Sequence, residues 1–233
     1  MDALVLARKT AEIVSRGSLR KYYRFRWAPY YGGIATADCV GCCLRCVYCW
    51  SWNIVNRPEA SGKFYTPDHV ARELTRIARR KSTGLIRISG NEPTINREHL
   101  TGVLSSIQPQ FTFILETNGI ILGADRAYCD DLAQFPNIHV RVSLKGACPE
   151  EFHRVTGLDP SGFEYQIRSI ENLVDAGVRV HPALMSCMCS PGAIQGLRAR
   201  LGEVDPSLAD IEEEELILYP AVEARMKQKG FQV

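Results

Sequence analysis

Apolar positions along this chain follow two periods, and the places where one gives way to the other mark out its elements. Residues 3–15 carry the helical period and read as an amphipathic helix. Val70, Leu74, Ile77 and Ala78 trace one face of a second helix, which Thr66 opens as N-cap, with Pro67 at the first helical position and Asp68 behind it. Phe163, Ile167, Ile170, Leu173 and Val174 trace another, stopped at Gly177. Further helices are predicted near 97–107, 125–134 and 192–201. Between them lie apolar runs too short for helices, at 34–39, 84–90, 111–119, 138–146, 178–185 and 214–219. Pro182 weakens the far end of the fifth run.

Six strands separated by helices require parallel pairing through crossovers. The predicted fold is therefore α/β, a partial (β/α)6 TIM-like barrel of parallel strands. Residues 34–233 would form the barrel domain, and residues 1–33 an N-terminal helix with a basic and aromatic extension. Unusual polar clusters fall at strand ends, over 89–94, 116–119, 143–145 and 186–189. Working groups gather at such ends in α/β folds, which points to an enzyme.

Composition narrows the class. A net charge of +2 and 23% charged residues give no global case for binding nucleic acid or a membrane surface. Asp2, Arg8, Lys9 and Glu12 interrupt the first helix, so it is no signal peptide, and no later run reaches a membrane span. The expected location is cytoplasmic. There, nine cysteines suggest metal or redox chemistry rather than disulfides.

Five of those cysteines crowd into CVGCCLRCVYC at 39–49. Cys42, Cys46 and Cys49 stand as C-x3-C-x2-C, and three thiolates can bind three irons of a cubane while the fourth stays open. The pairs Cys39/Cys42, Cys43/Cys46 and Cys46/Cys49 equally offer zinc spacing. With Tyr48 before the last cysteine, this stretch resembles the signature of the radical S-adenosylmethionine (SAM) superfamily. ISGNEPT at 88–94 resembles that family's GGEP motif, with Asn91 in place of the second glycine beside Gly90, Glu92 and Pro93. ETNG at 116–119, SLKG at 143–146 and FHRVTG at 152–157 are similar to elements of small glycyl-radical-enzyme activases and 7-carboxy-7-deazaguanine synthases.

The resemblance spans about residues 35–185 and implies a [4Fe-4S] cluster on Cys42, Cys46 and Cys49. It implies SAM held by Tyr48, Gly90, Asn91, Glu92, Pro93, Glu116, Asn118, Ser143 and Lys145. A ferredoxin- or flavodoxin-type one-electron reductant would trigger cleavage to a 5′-deoxyadenosyl radical, which takes hydrogen from a substrate. The activase-like elements favour a glycine of a glycyl-radical protein as that substrate, with a small molecule also open. The alternatives are modification of a nucleotide or RNA base, or a non-catalytic zinc or Fe-S scaffold. Ser143 stands where activases carry aspartate, which puts a monovalent cation site in doubt.

Other residues read less specifically. Arg141, Ser143 and Lys145 alternate opposite Val140, Val142 and Leu144, so they share the face turned into the barrel. Arg141 would bind an anionic substrate, pair with Glu116, or sit in a satisfied internal ion pair. His181 is a catalytic candidate or, more simply, a packed core residue. Cys148, Cys187 and Cys189 would meet at the barrel mouth as auxiliary cluster ligands or redox thiols, or serve as apolar fillers; Cys39, Cys43 and Cys129 receive no role. Residues 16–27 interleave five basic residues with four aromatics, which suits RNA but more simply seals a barrel floor. The loop at 50–65 would shield the site or read a partner, and EEEE at 212–215 reads as an exposed edge.

Overall fold

A computed structural model describes residues 1–231. In chain order its elements are α1 (Ala3–Val14), β1 (Ser15–Arg16), β2 (Leu19–Ala28), β3 (Ile34–Cys39), α2 (Trp52–Asn56), β4 (Lys63–Tyr65) and α3 (Pro67–Arg80). Then follow β5 (Leu85–Ser89), α4 (Arg97–Ser106), β6 (Thr112–Thr117), α5 (Ile120–Ala124), α6 (Arg126–Leu132), β7 (Ile138–Leu144), α7 (Pro149–Thr156) and α8 (Gly162–Asp175). The last are β8 (Val180–Leu184), α9 (Pro191–Val204), β9 (Glu212–Glu213) and α10 (Pro220–Gln228).

One sheet runs in the order β1-β2-β3-β5-β6-β7-β8-β9, with β4 paired to β2. From β3 to β9 every pairing is parallel, whereas β1, β2 and β4 pair antiparallel. The architecture is a mostly parallel α/β sheet, as a partial TIM-like barrel requires. Local signals explain the helices. Thr66 accepts the amide of His69, Pro67 begins α3, and Val70, Ala71, Leu74, Ile77 and Ala78 are its buried side. Val140, Val142 and Leu144 are fully buried on the outer face of β7, where α8 packs, leaving Arg141 and Ser143 to face inward.

Two segments depart from the predicted pattern. Residues 19–28 form a ten-residue strand with a bulge, where Tyr22 pairs with Cys39 and Arg24 with Asp38. The extra residue turns Tyr22 outward to stack on Phe25 and lets Arg24 and Arg26 face inward. The strand predicted at 214–219 is not formed: β9 has only two residues, paired with Ala183 and Leu184. Its neighbour β8 ends at Leu184, so nothing continues the ladder, and Ile217, Leu218 and Tyr219 lie exposed before α10. Among the described residues no helix is long and apolar enough to cross a membrane.

Candidate active site

A cavity of about 930 Å³ opens between the loop after β3 and the inner faces of β5, β6 and β7. Cys42, Cys46 and Cys49 all line it, whereas Cys39 and Cys43 are fully buried behind them. The loop's backbone is pinned at many points. Gly41 donates its amide to Asn91 Oδ1 at 2.8 Å, Asn91 Nδ2 donates to Ser51 Oγ at 2.9 Å, and Val47 donates to the Val155 carbonyl. From α10, Arg225 donates to the carbonyls of Val47 and Cys49, each at 2.6 Å. Three thiols are thus presented on one wall by a backbone with little freedom to move.

Their protonation follows burial. Desolvation pushes the Cys46 and Cys49 thiols up, while a hydrogen bond with Cys43 draws Cys42 down. Among the described residues no three cysteine, histidine or carboxylate side chains close around a single point. A cubane asks for less, since each thiolate meets its own iron, and the three cavity-lining cysteines fit it.

The turn after β5 is shaped by Gly90, whose φ of +100° suits glycine and whose added Cβ would stand 3.0 Å from Asp38. Gly90 and Asn91 line the cavity, but Glu92 and Pro93 do not. Glu92 is fully buried and accepts from Thr94 N, Thr94 Oγ1, Thr117 Oγ1 and Asn118 N, so it ties the two strand-end turns together. That bonding corrects the expectation of a Glu92 side chain reaching SAM. Asn118 lines the cavity and donates to Cys43 Sγ at 3.3 Å, while Tyr48 lies beneath Lys145, whose Nζ is 5.7 Å from the ring centroid. Glu116 accepts from Arg87, from Ser89 at 2.6 Å and from Tyr31 at 3.2 Å.

Arg141 does not meet Glu116. Its Nε and Nη2 each donate to Glu212 at 2.9 Å, and its Nη1 donates to Glu214 at 2.9 Å. Ser143 donates to Glu214, and Lys145 Nζ lies 3.8 Å from the same carboxylate. The acidic run is the exposed edge expected, with Glu212, Glu213 and Glu215 exposed on the terminal strand and the residues after it, but two of its carboxylates are paired into the cavity: Glu212 and Glu214 reach Arg141, and Glu213 meets Arg198 and Ser186. Arg141 holds the Glu212 carboxyl below its ordinary range; Lys145 and Arg141 do the same for Glu214 against the opposing effect of burial. His181 lies outside the cavity lining, bridging His139 at 2.6 Å and Glu212 at 2.8 Å. Cys187 and Cys189 border a separate cavity of about 490 Å³ with Arg154 and Glu151, and Cys148 lines neither, so these thiols do not share the main mouth.

A model of the radical SAM superfamily matches residues 38–192, from the end of β3 into α9. The chain belongs to that superfamily. As a radical SAM enzyme its cofactors are a [4Fe-4S] cluster and SAM, and it needs a reductant. Among curated relatives, a GTP 3′,8-cyclase from Yersinia pestis is 30% identical over 162 residues, covering 67% of this chain and 46% of that protein. A probable GTP 3′,8-cyclase from Thermococcus kodakarensis is 32% identical over 134 residues, covering 57% and 40%. The radical SAM chain thus spans about half the length of these relatives. Among solved structures, TYW1 with a lysine-pyruvate adduct bound aligns with a TM-score of 0.54 at 14% identity, over 84% of this chain and 72% of that one. Streptococcus suis SuiB bound to precursor peptide SuiA aligns at 0.51 and 14%, over 79% and 49%. Both share the fold.

Several cavity residues escaped the reading of the sequence: Arg24, Arg26, Tyr30, Tyr31, Arg87, Glu212, Glu214 and Arg225. For Glu212 and Glu214 a signal existed, since their alternation matches that of Arg141, Ser143 and Lys145 across the barrel.

Proposed function

We propose that Cys42, Cys46 and Cys49 hold the cluster and that this radical SAM enzyme takes hydrogen from a small polar substrate lodged in the barrel cavity. The observation that carries this reading is the continuity of one cavity from those three cysteines to the charged inner faces of β5 and β7. When bound, cluster and SAM supply reductive sulfonium cleavage, the source of the hydrogen-abstracting radical. The chain's own residues bind and orient. Gly90, Asn91, Asn118 and Lys145 surround the cysteine loop with donors and acceptors suited to the amino and carboxylate ends of SAM. Tyr48 presents an apolar face beside the thiols, and Trp50 and Trp52 border the opening. The curated relatives named for GTP support a nucleotide-like substrate. A ferredoxin- or flavodoxin-type protein is the proposed electron donor.

A second reading keeps the activase role, acting on a glycine of a partner protein. Exposed Trp50, Ile217 and Tyr219 on the cavity rim favour it, because a partner strand would cover them. One experiment addresses both. The protein is reconstituted anaerobically with iron and sulfide, its iron content and spectrum are recorded, and 5′-deoxyadenosine is measured after SAM and dithionite, with Cys46→Ala alongside. Wild type should load and cleave while the variant does neither; a fully loaded protein that never cleaves SAM sinks the assignment. Faster cleavage with GTP or a low-mass extract fraction supports the small substrate, and faster cleavage only with the protein fraction supports the activase.

A further inference from the structure

Arg24 and Arg26 lie outside the stretch that matches the superfamily, on the antiparallel strand β2 beside the parallel run, and both line the cavity. Each donates through Nε alone, to the same oxygen of Asp38, at 2.6 and 2.8 Å. Asp38 is fully buried, so it fixes both guanidinium planes from behind. Among the described residues, the Nη groups of both arginines have no hydrogen-bond partner, and Asp38 is the only carboxylate paired with either. Asp38 Oδ1 is itself buried without a partner, so neither arginine has closed the two-point fork that guanidinium and carboxylate ordinarily form. Two cations against one anion leave a surplus positive charge at the cavity wall.

We propose that Arg24 and Arg26 form an anion subsite, taking a phosphate or carboxylate group of the cavity's ligand. Their four Nη groups suit the tetrahedral oxygens of phosphate or the planar pair of a carboxylate. The Arg24 guanidinium lies 5.4 Å from the Tyr23 ring centroid and 5.7 Å from that of Trp50, so the loop that follows the cysteines borders the subsite. Alternation puts Arg24 and Arg26 on one face, and the bulge at Tyr22/Arg24 is what sets that face opposite Tyr22, a device that re-aims side chains next to sites. This inference rests on the reading of the cavity as a substrate chamber. Its ligand has two sources with one chemistry, a substrate phosphate or the carboxylate of SAM.

The test uses reconstituted holoenzyme and two probes, inorganic pyrophosphate and SAM, with affinities taken by calorimetry under anaerobic conditions. Arg24→Gln and Arg26→Gln are made singly, because each leaves one guanidinium on Asp38 and the buried carboxylate is never stranded. Arg16→Gln, an arginine stacked on Phe64 away from the cavity, is the control and should bind both probes as wild type does. Each single variant should weaken one probe about tenfold, the loss of a charge-assisted contact. Loss confined to pyrophosphate assigns the subsite to the substrate; loss confined to SAM assigns it to the SAM carboxylate. Unchanged affinity for both probes in both folded variants overturns the proposal. Because binding is read without turnover, a failure here is distinguishable from a failure to cleave SAM.

Discussion

Two of the cavity walls that carry arginines, β7 and β2, treat them differently. On β7, Arg141 engages two carboxylates, Glu212 in β9 and Glu214 just after it, through all three of its nitrogens, and Lys145 completes the cluster. On β2, Arg24 and Arg26 share one oxygen of one carboxylate and keep their Nη groups toward the cavity. Residue type is the same, but the Arg141 side chain is 9% exposed while those of Arg24 and Arg26 are 42% and 24% exposed, and the ratio of donors to acceptors differs as well. The first wall is a clamp that fastens β9 to the barrel, and the second is a surface that still asks for an anion.

The largest effect expected from this contrast is on stability. Arg141→Ala would strip three charge-assisted bonds from Glu212 and Glu214 and leave them only His181, Ser143 and Lys145, a loss of about 3 kcal/mol for a broken, partly buried network. Denaturant unfolding of the variant measures it. Converting both glutamates to glutamine in the Arg141→Ala background should recover most of the loss. If Arg141→Ala melts like wild type, the β7 wall is no clamp and the contrast collapses.

The next effect concerns how firmly the β2 wall is held from outside. The bulge that points Arg24 inward sends Tyr22 outward onto His99, whose Nε2 lies 2.9 Å from the Tyr22 hydroxyl and whose Nδ1 lies 2.7 Å from the Ser18 carbonyl. That carbonyl requires an Nδ1–H, so neutral histidine accepts from Tyr22. Burial lowers the His99 pKa to about 4. The unfolded chain, near the ordinary value of about 6.5, binds this proton first as pH falls. Stability is therefore complete above about pH 6.5 and declines towards pH 4, by about 3 kcal/mol at the lower end. His99→Gln should flatten that slope. A slope unchanged in the variant would detach the outer face of β2 from the argument.

How much of this was legible depended on how local the signal was. The cysteine loop and the turns at 88–94 and 116–119 are set by residues adjacent in sequence, so spacing alone placed them at strand ends. Arg141 and Glu212 are 71 residues apart, and nothing local says that one answers the other. The β2 strand was hidden for another reason. Its bulge puts Tyr22 and Phe25 on one face, which breaks the two-residue alternation by which a strand is recognised. At 214–219 the error ran the other way: EELILY has a strand's composition, but a ladder needs a partner, and β8 stops too soon.

The smallest effect is the sharpest test of the clamp, because it compares neighbours. Glu213 and Glu214 differ by one position, and in a strand one position reverses the face. Among the described residues the Glu213 side chain bonds to Arg198 and Ser186 alone, and it is 58% exposed. Glu213→Gln should therefore change stability by less than about 0.5 kcal/mol, as exposed pairs do. Glu214 is largely buried between Arg141, Ser143 and Lys145, and Glu214→Gln should cost about 1–2 kcal/mol through weakened charge-assisted bonds. Acid should erase the difference. Because the Glu214 pKa is lowered in the folded protein, its contribution is present above the unfolded value of about 4.3 and is lost as pH falls through the folded one. Equal losses for the two variants at neutral pH would mean that Glu214 binds Arg141 no more firmly than Glu213 binds Arg198, and that Arg141, like Arg24 and Arg26, has donors to offer a ligand.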